Sequence, residues 1–188
     1  LGDVYKRQGC NWPTVLAKLK SYRNAVQVMP GWEQLDGLNS LLACPAAPFK
    51  LGERFTRRAT RSMSRNSLMA CCVTQRALED AGLIDCYWIH EGGMGIAYGS
   101  CAGDPHSLME IAALGVEKTT RKLNATTYVR FMAHTCAVNI GVFFSITGRV
   151  ITTTSACTSG SQAIGYAYET IKNGYQRAMI AGGAEAVS

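Results

Sequence analysis

The sequence predicts an α/β fold in which a mainly parallel sheet is covered by helices on both faces. Short apolar segments alternate with longer segments of helical period, which is the order expected of βαβ units. The strand-like segments are apolar throughout, as in strands that are buried on both faces. Glycines follow the helical segments where a helix would stop. One α/β domain is therefore expected.

Three segments have the composition of buried strands. One is rich in β-branched residues, and the other two are short apolar runs bounded by glycines. The predicted strands are Met94 to Tyr98, Val150 to Ser155 and Ala178 to Ala181.

Helices are predicted where apolar residues recur at three- and four-residue steps. The longest of these segments ends at Gly82, and the last ends at Gly174. The predicted helices are Trp12 to Tyr22, Arg58 to Ala81, Ser107 to Leu114, Tyr128 to Ile146 and Ser159 to Asn173. Between the first two, Met29 to Leu51 is punctuated by prolines and glycines and is expected to be loop-rich.

The composition is that of a globular chain. Its 188 residues suffice for one domain with a sizeable core, and 47% of them are hydrophobic against 17% charged. The nearest approach to a membrane span, Ala133 to Ile146, is too short and is interrupted by Asn139. No secretory signal opens the sequence. We expect a soluble, cytoplasmic protein that has no membrane partner.

Both ends of the sequence suggest part of a longer protein. The chain starts with Leu1 rather than Met, and residues 1–9 show no clear period of either kind. The final residues follow directly on a strand-like run. We expect a possible non-native leader at residues 1–9, followed by a domain over residues 10–188 that is truncated at both ends.

Eight cysteines raise the question of a metal site or a set of disulfides. Cys71 and Cys72 are adjacent, and no C-x-x-C pair occurs. The three histidines, His90, His106 and His134, stand at no zinc-ligand spacing from a cysteine. The pattern therefore predicts mostly buried, reduced thiols and no metal.

The formal net charge of +6 includes a cluster of arginines. Such a cluster can bind nucleic acid, an anionic membrane or an acidic protein, or it can be a solvated helix face. From charge alone these alternatives stay open. The cluster consists of Arg54, Arg57, Arg58, Arg61 and Arg65.

Cys157 falls at the junction between a predicted strand and a predicted helix. The first N–H groups of a helix have no partner inside it, and the helix macrodipole is positive there. A thiolate, the reactive form of cysteine, is stabilised at such a position. Small neighbours, Ser155, Ala156 and Gly160 among them, leave room for an acyl group. The residues thus favour a nucleophile, with a buried structural cysteine as the alternative.

Other catalytic motifs are set aside. The residues after Cys157 do not form G-x-S-x-G, so a serine-hydrolase elbow is not supported. The run Gly93 to Gly99 is one residue off G-x-G-x-x-G and lies on a strand, which argues against a dinucleotide site. No phosphate-binding loop of the G-x-x-x-x-G-K-[ST] kind is present.

Several motifs together resemble the β-ketoacyl-acyl-carrier-protein synthases, the condensing enzymes of fatty-acid and polyketide synthesis. The most specific are Thr154-Ser-Ala-Cys-Thr-Ser-Gly160 and Ile180-Ala-Gly-Gly-Ala-Glu-Ala186, with Ile171-Lys-Asn-Gly174 between them. The segments Ala77 to Gly82 and Gly95 to Ser100 are similar to the family's first core helix and second strand. The resemblance runs from about Trp12 to the end.

The resemblance implies a thiolase-like fold built of two similar halves, of which this chain matches the N-terminal half only. The family's opening strand should precede Trp12, and the two histidines and the lysine that assist condensation should lie beyond residue 188. Cys157 is the implied nucleophile. It accepts an acyl group from carrier protein as a thioester, and decarboxylation of malonyl-carrier protein then supplies the attacking carbanion. No cofactor is implied.

Further expectations follow from the resemblance. Similar enzymes dock the acidic acyl carrier protein on basic residues, for which Arg57, Arg58, Arg61 and Arg65 are the candidates. The cysteine strand lies near a two-fold axis in the family, which implies a homodimer. The candidates for the acyl pocket, or for plain core packing, are Phe131, Met132 and Phe143.

Three alternatives remain at the level of sequence. One is a non-catalytic chain-length partner from a heterodimeric polyketide system, although such proteins lack the nucleophile that Cys157 would provide. Another is a coenzyme A-dependent enzyme of the thiolase superfamily. The third, a nucleic-acid-binding module, is suggested only by charge, and no basic surface interleaved with aromatic residues supports it. We expect no nucleic-acid partner.

Overall fold

The structure is a computed structural model that describes Val4, residues 9–46 and residues 48–186. The leader predicted over residues 1–9 lies outside these ranges except at Val4 and Gly9. Contacts between residues divide the chain after Leu51 into two compact units, Leu1–Leu51 and Gly52–Ser188.

Among its described residues, the first unit contains one α-helix. Helix α1, Trp12–Lys20, begins where the Asn11 side chain accepts a hydrogen bond of 3.0 Å from the Thr14 N–H, and it buries Val15. Strands β1, Gln27–Val28, and β2, Leu42–Ala43, pair antiparallel. The predicted first helix and the loop-rich segment after it are both confirmed.

The second unit is built on a three-stranded parallel sheet. Its strands are β3, Met94–Gly99, β4, Val150–Thr153, and β5, Ala178–Gly183. They lie in the order β4-β3-β5, and β3 is parallel to both neighbours and buried along its whole length. Parallel strands end at the same edge of a sheet, so the segments that follow the three strands emerge side by side.

Helices cover this sheet on both faces, as the sequence predicts. Successive residues of a strand point to opposite faces. The side chain of Ile96 points to α6, near Gly141, whereas Ala97 packs against Ala163 and Ala167 of α7. Helix α3 packs on α6, and α4 packs on α5. The helices of this unit are α2, Arg57–Thr60, α3, Arg65–Asp80, α4, Pro105–Val116, α5, Thr127–Phe131, α6, Thr135–Phe144, and α7, Ser159–Lys172.

The prediction of one helix from Arg58 to Ala81 is wrong, because the chain forms α2 and α3 with a turn between them. The turn buries Met63 and Ser64, which places the chain inside the unit before α3 begins. The Ser62 hydroxyl donates a hydrogen bond of 3.1 Å to the Asn139 side chain on α6. This distant partner favours the turn over a continuous helix.

The prediction of one helix from Tyr128 to Ile146 is also wrong. Helices α5 and α6 are separated at Met132, whose backbone is extended. Carbonyl groups at the end of α5 accept long-range bonds instead: Arg130 O from Asp104 N at 2.8 Å, and Phe131 O from Gly103 N at 2.9 Å. The loop after β3 thereby replaces the partners that a continuing helix would provide.

The cysteines agree with the prediction in redox state but only in part in burial. The seven cysteines from Cys44 to Cys157, all within the described ranges, are free thiols. Three of the eight cysteines are buried, namely Cys71, Cys72 and Cys136, and three others are exposed. Burial raises the pKa of Cys136 to about 11 and raises that of Cys71 further.

Candidate active site

Cys157 lies in the turn between the carboxyl end of β4 and the start of α7. A single 3₁₀ turn, Ala156–Thr158, carries it and continues directly into α7 at Ser159. The Cys157 residue is exposed. The predicted junction of strand, cysteine and helix is therefore present, and the thiol belongs to a residue that solvent reaches.

The turn contains a backbone conformation that is unusual for a residue with a side chain. Ala156 has φ 51°, in the left-handed region, which costs roughly 1–2 kcal/mol for a residue other than glycine. Hydrogen bonds surround it. The Thr158 hydroxyl donates to the Ser155 carbonyl at 2.8 Å, and the Ser159 hydroxyl donates to the Ala156 carbonyl at 2.8 Å. These bonds hold the turn that presents Cys157.

Glycines let the start of α7 rest directly on the sheet. A Cβ atom at Gly99, the last residue of β3, would lie 2.6 Å from the carbonyl carbon of Ser159. A Cβ at Gly183, the last residue of β5, would lie 3.2 Å from the Cα of Gly160. Gly183 therefore permits close backbone approach at this point. Backbone, rather than side chain, forms the floor under the Cys157 turn.

Residues after β3 and β5 meet beside this turn. The Glu185 carboxylate accepts hydrogen bonds from the Cys101 N–H at 2.7 Å and from the Ser100 hydroxyl at 3.4 Å. The Thr154 hydroxyl donates to the Ser100 carbonyl at 3.1 Å. The Cys101 sulfur lies 3.7 Å from the Ser159 hydroxyl oxygen. The ends of all three strands are thus joined around the nucleophile candidate.

Ser100 and Cys101 are missed by the sequence interpretation. A signal for them existed, because residues that follow neighbouring parallel strands emerge at one edge. Gly99 pairs with Thr153 in the register, which places Ser100 and Cys101 beside the segment that leads to Cys157. The Glu185 carboxylate, through its two hydrogen bonds, holds the loop that follows β3.

The candidate pocket residues separate into two places. Phe131 and Met132 close α5, next to the loop that leaves β3 at the edge where Cys157 lies. Phe143 lies at the end of α6, which leads to the amino end of β4. There it stacks on Phe55, with ring centroids 4.5 Å apart, and borders a cavity of about 640 Å³. The structure does not bring Phe143 together with Cys157.

The four candidate arginines form one exposed surface. Arg57 and Arg58 lie on α2, Arg61 in the turn after it, and Arg65 at the start of α3. The Arg61 carbonyl accepts a hydrogen bond of 2.7 Å from the Arg130 guanidinium. We call these four residues the arginine surface. The arginine surface presents four cationic side chains within a short segment, residues 57–65.

None of the three histidines lies on the turn that carries Cys157. The His90 ring is hydrogen-bonded at 3.0 Å to the Ser145 carbonyl, near the amino ends of the strands. His106 is exposed on α4, and His134 is exposed at the start of α6. Across the described ranges, no group of three or more potential ligand side chains is arranged to hold a metal ion. No helix in this part of the chain has the length and apolar character to cross a membrane.

Cys157 thus lies on the turn between a parallel strand and a helix, at the carboxyl edge of the sheet. The profile described as "Beta-ketoacyl synthase, N-terminal domain" matches residues 18–188. The chain belongs to the β-ketoacyl synthase family.

Two relatives with named activities are similar to this chain. A 3-oxoacyl-[acyl-carrier-protein] synthase 1 from Haemophilus influenzae is 27% identical over 183 residues, covering 96% of this chain and 44% of that protein. A 3-oxoacyl-[acyl-carrier-protein] synthase 2 from Vibrio cholerae is 32% identical over 117 residues, covering 60% of this chain and 27% of that protein. This chain therefore spans less than half the length of these relatives.

Solved structures agree on the fold. A β-ketoacyl synthase from Burkholderia phymatum superposes with a TM-score of 0.93 at 41% identity, covering all of this chain and 46% of that one. A type II polyketide ketosynthase, in complex with its acyl-carrier protein and bound to the hexaketide, gives 0.72 at 19% identity, covering 97% of this chain and 48% of that one. The second likeness shows the fold alone. The predicted thiolase-like fold is confirmed.

Proposed function

We propose that residues 10–188 are the part of a β-ketoacyl-acyl-carrier-protein synthase that carries its nucleophile, Cys157. The whole protein performs the decarboxylative Claisen condensation of malonyl-carrier protein with an acyl group, in fatty-acid or polyketide biosynthesis. One observation carries this proposal. In a chain of this family, the exposed Cys157 lies on the turn that leads from β4 into α7.

Acyl transfer to the enzyme is the first step. The Cys157 thiolate attacks the carbonyl carbon of the acyl thioester and forms a tetrahedral oxyanion. The bond from that carbon to the carrier sulfur then breaks, and the carrier leaves as its thiolate. The Cys157 N–H and the positive start of α7 point to where negative charge develops on the oxygen.

Condensation is the second step. Malonyl-carrier protein loses carbon dioxide, and the electron pair of the broken bond becomes a carbanion. That carbanion attacks the thioester carbon on Cys157, a carbon–carbon bond forms, and the cysteine leaves as thiolate. The product is a 3-oxoacyl-carrier protein. No residue of these 188 is assigned to the decarboxylation, because His90, His106 and His134 do not fall in the segments where similar enzymes carry the histidines that assist it.

Mass spectrometry tests the nucleophile. Incubation with an acyl-carrier protein should add one acyl group to the peptide that contains Cys157. Cys157→Ala should abolish the adduct. Cys101→Ala is the matched control, because this second exposed thiol lies on the neighbouring strand end and its loss should leave the adduct intact. An adduct that persists in Cys157→Ala would refute the assignment.

Acyl carrier protein is the proposed partner, and the arginine surface is its proposed docking site. Exposed cations attract an acidic partner over several ångströms and mainly raise the association rate. We expect the double variant Arg58→Glu and Arg61→Glu to weaken carrier binding by about tenfold or more at low salt.

The control for docking is Arg121→Glu, which reverses an exposed charge on the segment after α4. It should leave the affinity within about twofold of the unchanged protein, because that position lies outside the arginine surface. Binding is measured by isothermal titration at two salt concentrations. Affinity that does not respond to salt, or to reversal at Arg58 and Arg61, would rule out electrostatic docking there.

We propose further that the protein is a cytoplasmic homodimer. Strand β4 is at an edge of the described sheet, and Val150 on it is 45% exposed, so a second copy can pair there. Free thiols suit a reducing compartment. Light scattering should give twice the chain mass, and cell fractionation should recover the protein with cytosolic enzymes. A monomeric mass, or recovery in another compartment, would contradict the respective proposal.

Two alternatives are separated by the same adduct experiment. A non-catalytic chain-length partner would take no acyl group at all. A coenzyme A-dependent enzyme of the thiolase superfamily would be acylated from acyl-coenzyme A but not from acyl-carrier protein. The presence of Cys157 argues against the first, and the arginine surface favours a carrier protein over a free coenzyme.

A further inference from the structure

We propose that Ser159 is a positioning residue for Cys157, because its buried hydroxyl holds the preceding backbone in the left-handed turn that presents the thiol. The proposal rests on the proposed function only in assuming that the turn serves to present a nucleophile. The hydrogen bonds that support it do not depend on that function, and its test does not require acyl transfer.

The Ser159 hydroxyl makes two backbone hydrogen bonds across the turn. Its oxygen accepts from the Ser155 N–H at 2.9 Å and donates to the Ala156 carbonyl at 2.8 Å. One hydroxyl therefore connects the N–H of one residue with the carbonyl of the next. The peptide group between Thr154 and Ser155 and the one between Ala156 and Cys157 are thus held by the same oxygen.

Ala156 is the residue that requires such support. Its φ of 51° is unfavourable for a residue with a Cβ atom, so the free turn would tend to relax toward negative φ. Relaxation would rotate the peptide group between Ala156 and Cys157. It would also remove the Ala156 carbonyl from the Ser159 hydroxyl. The bond of 2.8 Å opposes that rotation directly.

Ser159 is itself immobile relative to the sheet. It is only 5% exposed, and its backbone carbonyl accepts a hydrogen bond of 2.8 Å from the Thr153 hydroxyl at the end of β4. Gly99 leaves just enough room for it, since a Cβ there would lie 2.8 Å from the Ser159 Cβ. The Cys101 sulfur lies 3.7 Å from its hydroxyl oxygen. The turn is thus tied to the two strands below it.

Neighbouring hydroxyls do not share this arrangement. The Thr158 hydroxyl is bonded to the carbonyl and hydroxyl of Ser155, at 2.8 and 3.0 Å, and the residue is exposed. Ser161, two residues after Ser159 on α7, is exposed to solvent. Ser161→Ala is therefore a matched control that removes the same group from the same helix.

Alkylation of the thiol measures its presentation. Iodoacetamide is reacted with the folded protein, and modification of the Cys157 peptide is compared with that of the Cys44 peptide, an exposed thiol in the first unit. Ser159→Ala should slow alkylation of Cys157 about tenfold, since the thiol then spends less time at the start of α7. Ser161→Ala should stay within about twofold of the unchanged protein.

Glycine at position 156 provides the decisive comparison, because glycine adopts positive φ without steric cost. Adding Ala156→Gly to Ser159→Ala should return the alkylation rate to within about threefold of the unchanged protein. A role for Ser159 in packing alone would not be rescued in this way. An unchanged rate in Ser159→Ala, or no recovery in the double variant, would overturn the proposal.

Two further outcomes keep the test decisive. If Ser159→Ala does not fold, Ser159→Gly also removes the hydroxyl without adding a thiol and should likewise slow alkylation about tenfold, and a rate equal to the unchanged protein would overturn the proposal. Failure of the proposed function is distinguishable. The acyl adduct would then be absent from Cys157 although alkylation still responds to Ser159, whereas an adduct with no response to Ser159 sinks this inference alone.

Discussion

Among single residues, Glu185 ties the ends of two strands together beside Cys157. Its carboxylate accepts the Cys101 N–H at 2.7 Å, and that N–H begins the loop after β3. Hydrogen bonds to a charged acceptor are stronger than those between neutral groups. Without the carboxylate, the Cys101 N–H would donate its hydrogen bond to water. The loop next to the nucleophile therefore depends on a side chain from β5's end.

Glu185→Ala should lower the free energy of unfolding by about 1 kcal/mol, because a charge-assisted bond is lost from an exposed residue. Urea denaturation measures the change. Glu117→Ala is the control, since it removes an exposed ion pair of 2.7 Å with Lys122 that should contribute at most about 1 kcal/mol and commonly less. Equal, negligible effects from both variants would contradict a role for Glu185 in holding the loop.

Buried thiols predict how stability depends on pH. Burial, chiefly, raises the pKa of Cys136 from an ordinary 9.0 to about 11. Between these values the unfolded chain releases the proton and the folded chain keeps it. Stability that is fully present below pH 9 is therefore lost as the pH rises toward 11, by at most about 1.4 kcal/mol per pH unit for this one group.

The measurement is a series of urea denaturations from pH 8 to pH 11. Cys136→Ala should flatten the decline, because the titrating thiol is gone, whereas Cys44→Ala, which removes an exposed thiol, should leave the slope as it was. Cys71 and Tyr98, whose pKa values are also raised by burial, should keep part of the decline in both variants. A slope that Cys136→Ala leaves unchanged would contradict this account.

The importance of Cys157 could be predicted from the residues, because the end of a strand, small neighbours and the start of a helix are visible in the sequence. The two bonds of the Ser159 hydroxyl could not be predicted. They depend on the left-handed φ of Ala156, and alanine gives no sign of such a conformation. Turn geometry that is imposed by tertiary contacts leaves little trace in composition.

At the scale of elements, alanine substitution at two glycines with different surroundings tests how closely the start of α7 packs on the sheet. Gly99→Ala should destabilise the second unit by about 1–3 kcal/mol, because the new Cβ meets the backbone of Ser159, which cannot move aside. Gly165→Ala, in α7, meets no atom within 4 Å and should stabilise the protein by about 0.5–1 kcal/mol through helix propensity.

Thermal or urea denaturation distinguishes the expected loss of stability in Gly99→Ala from the expected gain in Gly165→Ala. The Gly99→Ala variant should also lose part of the alkylation rate at Cys157, since the start of α7 is displaced from the sheet. Gly165→Ala should leave that rate as it was. Two variants that change stability in the same direction would show that the contact between Gly99 and Ser159 is not as close as described.

Elements were predictable where local pattern and tertiary contacts agree. The three strands and α7 were predicted close to their observed bounds, because apolar or β-branched runs and glycines mark them in the sequence, although only β3 is buried along its whole length. The two long helices were predicted wrongly as continuous. Their apolar periodicity runs on through the breaks, while the reasons for the breaks are distant partners, namely Asn139 for one and Gly103 with Asp104 for the other.

At the scale of the whole molecule, the two halves of the reaction should be separable. The 188-residue chain should take up an acyl group on Cys157 but form no 3-oxoacyl product, because none of its three histidines is assigned to the decarboxylation. Mass spectrometry detects both species in one assay. Formation of 3-oxoacyl product by the 188-residue chain on its own would contradict the proposed separation of acyl transfer from condensation. If Cys157→Ala then abolished that product, the whole reaction would take place within this chain.

Backbone forms the floor beneath the nucleophile, where Gly99 and Gly183 meet Ser159 and Gly160. A floor without side chains offers natural selection almost nothing to vary, since any added atom there disturbs the reacting thiol itself. On the proposed function, adaptation to longer or shorter acyl groups proceeds through residues at the sides, for which Phe131 and Met132 are the candidates. Enzymes that descend from one such ancestor can diverge widely in substrate while their nucleophiles remain superimposable.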